Sequence, residues 1–231
     1  MYSLMLLFVL ATSAFAQHQK VMVEVFYESL CPDSKTFVTE QLAPTWKNTE
    51  LQSYLNVSLV PYGKSKTSGV SPNFTFECHH GAGECLGNKY HACAIKKVGD
   101  LTKVVPYVSC FMLNSPSGTT NFTEVNKKCG KEAGLTDEVV NTLEQCSNST
   151  DGSMFLEEFG NMTMKFENPL TSVPTVRVDG TKITELNNLK GKVCEKLAKQ
   201  NLATCTSKSD APVHSAMSAI ILVFAVVLTR L

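Results

Sequence analysis

Nine cysteines constrain this chain more than any other feature of its sequence. In an oxidising compartment eight of them can form four disulfides, which leaves one thiol over. Cys31 stands far upstream of the rest, so we predict that it is the unpaired, reactive cysteine. An intermolecular disulfide and a different odd cysteine are the alternatives. The sequence does not fix the pairing of the other eight. These expected structural cysteines are Cys78, Cys85, Cys93, Cys110, Cys129, Cys146, Cys194 and Cys205.

The N-terminus indicates entry into the secretory pathway. Residues 1–16 carry an apolar stretch that ends in Ala14-Phe15-Ala16, the small-residue pattern of a cleavage site. We predict a signal peptide over 1–16, removed before Gln17. A membrane anchor is the alternative, for which the stretch is short.

The C-terminal tail, residues 206–231, joins a polar spacer to the apolar segment 216–228. As a helix this segment spans about 20 Å, less than the roughly 30 Å of a bilayer core. The pattern is that of a GPI-anchor signal, with Ser207 or Ser209 as the attachment residue and a lipid anchor to the membrane as the result. A removed propeptide and a short membrane-embedded tail are the alternatives.

The net charge and the glycosylation sequons indicate what kind of protein this is and which partners it lacks. Lys+Arg and Asp+Glu are both 21, and this lack of net charge argues against a nucleic-acid partner, which needs a basic face. Five N-x-S/T sequons predict a secreted glycoprotein with these asparagines at the surface. They are Asn56, Asn73, Asn121, Asn148 and Asn161.

The segment 78–93, CHHGAGECLGNKYHAC, is rich in cysteine and histidine and raises the question of zinc. It lacks a C-x-x-C knuckle, and an oxidising compartment favours disulfides over metal thiolates. We therefore predict no metal and no cofactor, and we assign His80 and His91 to loop or helix-surface positions.

Periodicity predicts the first elements of the fold. Residues 20–29 alternate and are rich in Val and Phe, as is typical of a strand, and 32–47 follows as a helix with a proline in its first turn. Pro44 should kink this helix or end it near Ala43. A second strand covers 54–63.

Beyond residue 78 the pattern changes. Short amphipathic helices alternate with Gly, Asn and Pro breaks over about 78–166, where most cysteines fall, which predicts a disulfide-stapled helical insert. Residues 173–184 read as a strand pair around the turn Asp179-Gly180, and 185–200 follows as a helix.

This order predicts an α/β fold, a thioredoxin-like mixed sheet whose first helix starts at Cys31. In that fold a proline opens the hairpin opposite the reactive cysteine. We therefore expect a cis peptide bond at Val173-Pro174, although few X-Pro bonds are cis.

The segment 78–93 resembles the signature of the gamma-interferon-inducible lysosomal thiol reductase (GILT) family. That signature is Cys-Gln-His-Gly, two residues, Glu-Cys, two residues, Asn, four residues, Cys. Seven of its eight fixed positions match, and His79 replaces the glutamine. The matching residues are Cys78, His80, Gly81, Glu84, Cys85, Asn88 and Cys93. The resemblance implies a GILT domain over 17–205, protein disulfides as substrates, and a lysosomal or secreted location.

The active motif of the family is usually Cys-x-x-Cys, which implies catalysis at Cys31 beside a cis-proline loop at Pro174. Ser34 stands where the second cysteine is expected. A helix N-terminus favours a thiolate at Cys31, and the Ser34 hydroxyl, one turn on, can donate to the sulfur. The departure therefore puts the second half of the reaction in doubt, not the first.

A single thiol can attack a substrate disulfide and form a mixed disulfide, but Ser34 cannot release it. The substrate's other thiol can release the mixed disulfide, which gives isomerisation. A small thiol such as glutathione or cysteine can also release it, which gives net reduction. We favour such a one-thiol reductase or isomerase. The alternatives are a weak or inactive glycoprotein that binds partners at the cell surface or extracellularly, and a structural glycoprotein, which a buried or bridged Cys31 would favour.

Overall fold

The computed structural model describes residues 20–206. The signal peptide expected at 1–16 lies outside the described residues, as do the tail beyond Thr206 and its expected attachment residues, Ser207 and Ser209. Among the helices of the described part, none is both long and apolar enough to cross a bilayer.

Within residues 20–206, six strands form two sheets. They are β1 (Val21–Tyr27), β2 (Leu55–Pro61), β3 (Lys66–Val70), β4 (Asn73–Glu77), β5 (Thr175–Val178) and β6 (Thr181–Lys182). The main sheet has the order β2-β1-β5-β6, with β1 parallel to β2 and antiparallel to β5. This mixed sheet is the one predicted, and its β5–β6 turn is the expected Asp179-Gly180, with φ of 46° and 75°.

Strands β3 and β4 form a separate antiparallel hairpin that the sequence analysis left unassigned. Their residues alternate between partly covered and exposed, so the pattern lacks the continuous apolar side that marks β1 and β2.

The helix after β1 bends where a proline interrupts it. Helix α1 (Pro32–Phe37) runs into a π-helical turn (Val38–Leu42) and continues as α2 (Ala43–Lys47). Pro44 has no N–H to donate, and the wider turn before it accommodates the missing hydrogen bond. The interruption predicted at Pro44 therefore takes the form of a π-helical turn, and the helix continues beyond Ala43 to Lys47.

The remaining helices include the insert. They are α3 (Thr49–Gln52), α4 (Ala82–Lys97), α5 (Leu101–Asn114), α6 (Thr123–Glu132), α7 (Asp137–Ser147), α8 (Thr150–Phe166), α9 (Leu189–Lys196) and α10 (Ala203–Thr206), with 3-10 turns at Leu186–Asn188 and Ala198–Gln200. The five helices α4–α8 form the insert, which lies in the sequence between the first two strands of the main sheet (β1 and β2) and the last two (β5 and β6).

Four disulfides staple these helices, and the expected pairing of eight cysteines is present. The pairs are Cys78–Cys85, Cys93–Cys146, Cys110–Cys129 and Cys194–Cys205. The second joins α4 to α7, the third joins α5 to α6, and the fourth joins α9 to α10. All nine cysteines lie within residues 20–206, and Cys31 is the free one.

Both faces of the main sheet are covered. Alternate residues such as Val23 and Val25 of β1 enter one apolar cluster, together with Leu55, Val57 and Leu59 of β2. Phe26, which points the other way, packs in a second cluster that includes residues of α8. A sheet buried on both sides holds the end of β1, and therefore the chain that follows it, firmly in place.

Candidate active site

Cys31 lies at the corner between β1 and α1. It is the N-cap residue of α1, with extended backbone, and its carbonyl oxygen accepts the first helical hydrogen bond from Lys35 N at 2.9 Å. The side chain therefore stands at a helix start, although its sulfur makes no capping hydrogen bond to the N–H groups of the first turn. The residue is only 6% exposed.

Pro174 closes the same end of the sheet. The Val173-Pro174 peptide bond is cis, as predicted. Thr175 pairs with Phe26 across β1 and β5, so extending that register by one residue sets Pro174 opposite Tyr27. The chain segment 27–31, which we call the thiol loop, thus begins directly opposite the cis proline.

Ser34 lies in the first turn of α1 and is completely buried. Its Oγ accepts a hydrogen bond from the backbone N–H of Glu28 at 3.4 Å. No hydrogen bond between Ser34 and Cys31 is found in the described part of the chain, where the sequence analysis expected one. The hydroxyl of Ser34 thus connects α1 to the thiol loop.

Helix α4 of the insert holds the thiol loop through its backbone and side chains. Asn88 Oδ1 accepts a hydrogen bond from Ser29 N at 2.8 Å, and Ser29 Oγ donates to the carbonyl oxygen of Glu84 at 3.2 Å. Gly87 permits this approach, because a Cβ there would lie 2.5 Å from Ser29 Oγ. Three signature-segment residues therefore position the loop that carries Cys31.

His91 continues the same side of α4, and its predicted surface position is wrong. The side chain is fully buried, and its Nδ1 is hydrogen-bonded to the Tyr27 hydroxyl at 3.1 Å. Burial lowers the pKa of His91 to about 3 and raises the pKa of Tyr27 well above its usual value. Both side chains are therefore neutral at physiological pH.

The spacing of polar residues in the sequence could have indicated that one side of α4 is buried. Glu84, Asn88 and His91 follow one another at i, i+4 and i+7, so they lie on one side of a helix. A polar stripe flanked by alanine and glycine indicates a buried hydrogen-bonding surface. The sequence does not show, however, which segment that surface contacts, since Asn88 is 59 residues from Ser29.

A group of charged side chains lies beside the thiol loop. Glu28 Oε2 lies 3.4 Å from His79 Nδ1 and 3.3 Å from His80 Nδ1, and His80 Nδ1 also lies 2.6 Å from Glu84 Oε2. We call these four residues the Glu–His cluster. Within residues 20–206, Glu28, His79 and His80 are the one group of three side chains whose ligand atoms converge closely enough to hold a metal ion.

The two carboxylates of the Glu–His cluster have no exposed surface. Burial, and secondarily the nearby Glu28 carboxylate, raises the pKa of Glu84, while hydrogen bonds from His80 partly offset the rise. Glu28 Oε1 accepts a hydrogen bond from Lys64 N at 2.7 Å. Its other oxygen, Oε2, accepts none from the described residues.

The five sequon asparagines are all exposed, as attachment of a glycan requires. They belong to different elements, among them β2 (Asn56), β4 (Asn73) and α8 (Asn161).

Comparison with known proteins decides the family. The family model described as "Gamma interferon inducible lysosomal thiol reductase (GILT)" matches residues 22–133. A gamma-interferon-inducible lysosomal thiol reductase-like protein of Anopheles gambiae is 38% identical over 99% of this chain and 98% of its own length. The chain belongs to the GILT family. GILT-like protein 1 of Drosophila melanogaster is 34% identical over 86% of the chain and 84% of its own length.

Solved structures agree on the fold. BdbD of Bacillus subtilis has a TM-score of 0.56 at 15% identity, with 78% of this chain and 86% of that one covered. DsbA of Chlamydia trachomatis has the same TM-score at 17% identity, with 79% and 87% covered. The predicted thioredoxin-like fold is confirmed, and family membership makes the chain a thiol–disulfide oxidoreductase in general class.

Proposed function

We propose that this member of the GILT family reduces or isomerises protein disulfides through one nucleophilic thiol, that of Cys31. The observation that carries the proposal is a free cysteine as the N-cap of α1, at the end of a loop that begins opposite a cis proline. The other eight cysteines are paired, so Cys31 is the one thiol that can attack without first breaking a bond of the protein.

The first step is attack of the Cys31 thiolate on one sulfur of a substrate disulfide. The substrate S–S bond breaks, a Cys31–substrate disulfide forms, and the second substrate sulfur leaves as a thiolate that takes up a proton. The N–H groups at the start of α1 stabilise the attacking thiolate, and the contacts of α4 hold the loop in position.

Release must come from outside the motif, because Ser34 has no sulfur. When the substrate's own thiol attacks the mixed disulfide, the substrate leaves with rearranged bonds and no net electron transfer. When a small thiol such as glutathione or cysteine attacks Cys31 Sγ, the substrate leaves reduced. A second small thiol then regenerates Cys31 and is oxidised together with the first.

A second function is favoured by the 6% exposure of Cys31. A covered sulfur is less open to substrate, and the sequence analysis linked a buried Cys31 to a glycoprotein that keeps the fold without turnover. That function is the structural extracellular glycoprotein; a glycoprotein that binds partners extracellularly or at the cell surface, with or without a lipid anchor, is the separate alternative.

The compartment belongs to the same proposal. The expected signal peptide, the four disulfides and the exposed sequons support a glycoprotein of the secretory pathway that is lysosomal or secreted. A lipid anchor at Ser207 or Ser209 would place it at the cell surface instead.

The test compares the native protein with Cys31→Ser and Ser34→Cys. We expect alkylation of native protein to label Cys31, as identified by mass, and disulfide reduction to require added glutathione or cysteine. Cys31→Ser should lose both. Ser34→Cys should release substrate without added thiol and end with an internal disulfide. Accumulation of mixed disulfides with no turnover would select the binding function, and an inert Cys31 would overturn the redox function altogether.

A further inference from the structure

The Glu–His cluster has the composition of a metal site. Glu28 follows β1, whereas His79 and His80 lie between β4 and α4, next to the disulfide Cys78–Cys85. The disulfide and a hydrogen bond from His80 N to Glu84 Oε1 at 2.9 Å hold the two histidines in place within the segment 78–93. Two independent parts of the chain therefore bring their ligand atoms to one point.

The spacing of the ligand atoms matches tetrahedral zinc. Nitrogen and oxygen ligands lie about 2.0 to 2.1 Å from zinc, so two of them at a tetrahedral angle are roughly 3.3 Å apart. Glu28 Oε2 lies 3.3 Å from His80 Nδ1 and 3.4 Å from His79 Nδ1. The carboxylate oxygen thus has the same separation from both nitrogens that shared coordination would give.

The buried charge in the cluster also points to a cation. Glu28 and Glu84 are both fully buried, and neither forms an ion pair with a lysine or arginine of the described residues. Buried carboxylates are normally paired or bound to metal. Glu28 Oε2 in particular is buried, accepts no hydrogen bond from the described residues, and faces both imidazoles.

We propose that Glu28 Oε2, His79 Nδ1 and His80 Nδ1 bind a zinc ion. Imidazole and carboxylate together suit zinc, whereas calcium and magnesium prefer oxygen ligands alone. His80 Nδ1 is hydrogen-bonded to Glu84 Oε2 at 2.6 Å, so zinc takes the place of the shared proton, which is released to solvent, and Glu84 adds a second negative charge beside the ion. The His79 side chain is 51% exposed, so the ion can enter from solvent and keep an open position there.

The site lies next to the proposed redox centre but does not depend on it. Glu28 belongs to the thiol loop, and its backbone N–H donates to Ser34. Zinc bound there would neutralise Glu28 and add a further link between the thiol loop and the signature segment.

The test is zinc binding to the mature, untagged protein at neutral pH, after treatment with a chelator. Competition with a chromophoric zinc chelator should give a single zinc ion per chain. His79→Gln removes a half-exposed ligand without disturbing the core, and Glu28→Gln removes the buried one. Each should lower zinc affinity at least about tenfold, because even changes outside the ligand set have effects of that order.

Two controls separate this site from other zinc ligands. Glu77→Gln removes a nearby glutamate whose side chain is 79% exposed, and it should leave affinity unchanged. Cys31→Ser should also leave it unchanged, and the protein loaded with cobalt should show no thiolate-to-metal absorption band. Failure to bind zinc, equal affinity of His79→Gln and the parent protein, or loss of binding with Cys31→Ser would each overturn the proposal.

Discussion

The helical insert and the thiol loop lie against each other but are held by different kinds of bond. Within the insert, disulfides join α4 to α7 and α5 to α6. The thiol loop has no covalent link to α4 and is held instead by buried hydrogen bonds to Asn88, Glu84 and His91. The insert is therefore linked covalently within itself, and it holds the thiol loop by hydrogen bonds while the sulfur of Cys31 stays free.

The largest loss of stability should come from removing a disulfide of the insert. Replacing both Cys93 and Cys146 by alanine opens a loop with a sequence separation of 53. Chain-entropy accounting gives a loss of about 4 kcal/mol in unfolding free energy, against about 2.5 kcal/mol for the shorter Cys78–Cys85 loop. Urea unfolding of both double variants checks the order. Equal losses would show that loop length does not govern the stability of the insert.

A methyl group added between α4 and the thiol loop should change the rate at which Cys31 is alkylated. Gly87→Ala places a Cβ 2.5 Å from Ser29 Oγ, so the loop must shift at a cost of up to about 3 kcal/mol, and alkylation of Cys31 should slow. Gly130→Ala is the matched control, since its Cβ would lie 2.3 Å from Val140 Cγ2 inside the insert. It should lose similar stability without slowing alkylation. Equal slowing in both variants would end the distinction between the two regions.

Acid should weaken the contact between His91 and Tyr27. Burial lowers the pKa of folded His91 to about 3, whereas in the unfolded chain it takes up a proton near 6.5. Between these values the unfolded state binds more protons, so stability is full above about pH 6.5 and falls as the pH drops toward 3. The loss from this group is about 2 kcal/mol at pH 5.

Unfolding by urea at several pH values measures this loss. His91→Gln removes the titrating group, so its stability should vary less with pH between 6.5 and 5 than that of the parent protein. Parallel curves for the two proteins would show that His91 does not carry the effect.

The smallest effect concerns one hydrogen bond. Asn88→Ala leaves the buried N–H of Ser29 without its acceptor, which should cost about 1 kcal/mol or slightly more and alter the alkylation rate of Cys31. Asn126→Ala removes a buried asparagine inside the insert, where it bonds Tyr107 and the carbonyl of Val140. A comparable stability loss with an unchanged alkylation rate is expected there. A change of rate in Asn126→Ala would argue that the insert transmits any local damage to the loop.

Local features of the fold were predictable because their causes are local. Alternation gave β1 and β2, the Asp179-Gly180 pair gave the last hairpin, and Pro44 gave the bend after α1. Strands β3 and β4 were not predicted, because their residues bury little and leave no continuous apolar side.

The site was predictable only in part. Cys31 and Pro174 stand out from the sequence because a lone cysteine and a proline occupy positions that the fold defines. The spacing marks the polar side of α4 that carries His91, but its contact with Tyr27 and the meeting of Glu28 with His79 were not predictable, since these contacts form only when α4 packs on the end of β1. Disulfide pairing likewise depends on which helices become neighbours, and spacing does not specify that.

The order of the four disulfides along the chain bears on how the protein is made. One pair encloses another (Cys93–Cys146 around Cys110–Cys129), one of the other two pairs precedes them and one follows them, and no pairs cross. Cys31 precedes the other eight cysteines, so during synthesis it emerges first, with no native partner to meet. Cys78 and Cys85 follow, and their loop closes over a separation of only 7 residues. Early closure of that small loop removes the first thiols with which Cys31 could mispair before the rest of the chain arrives.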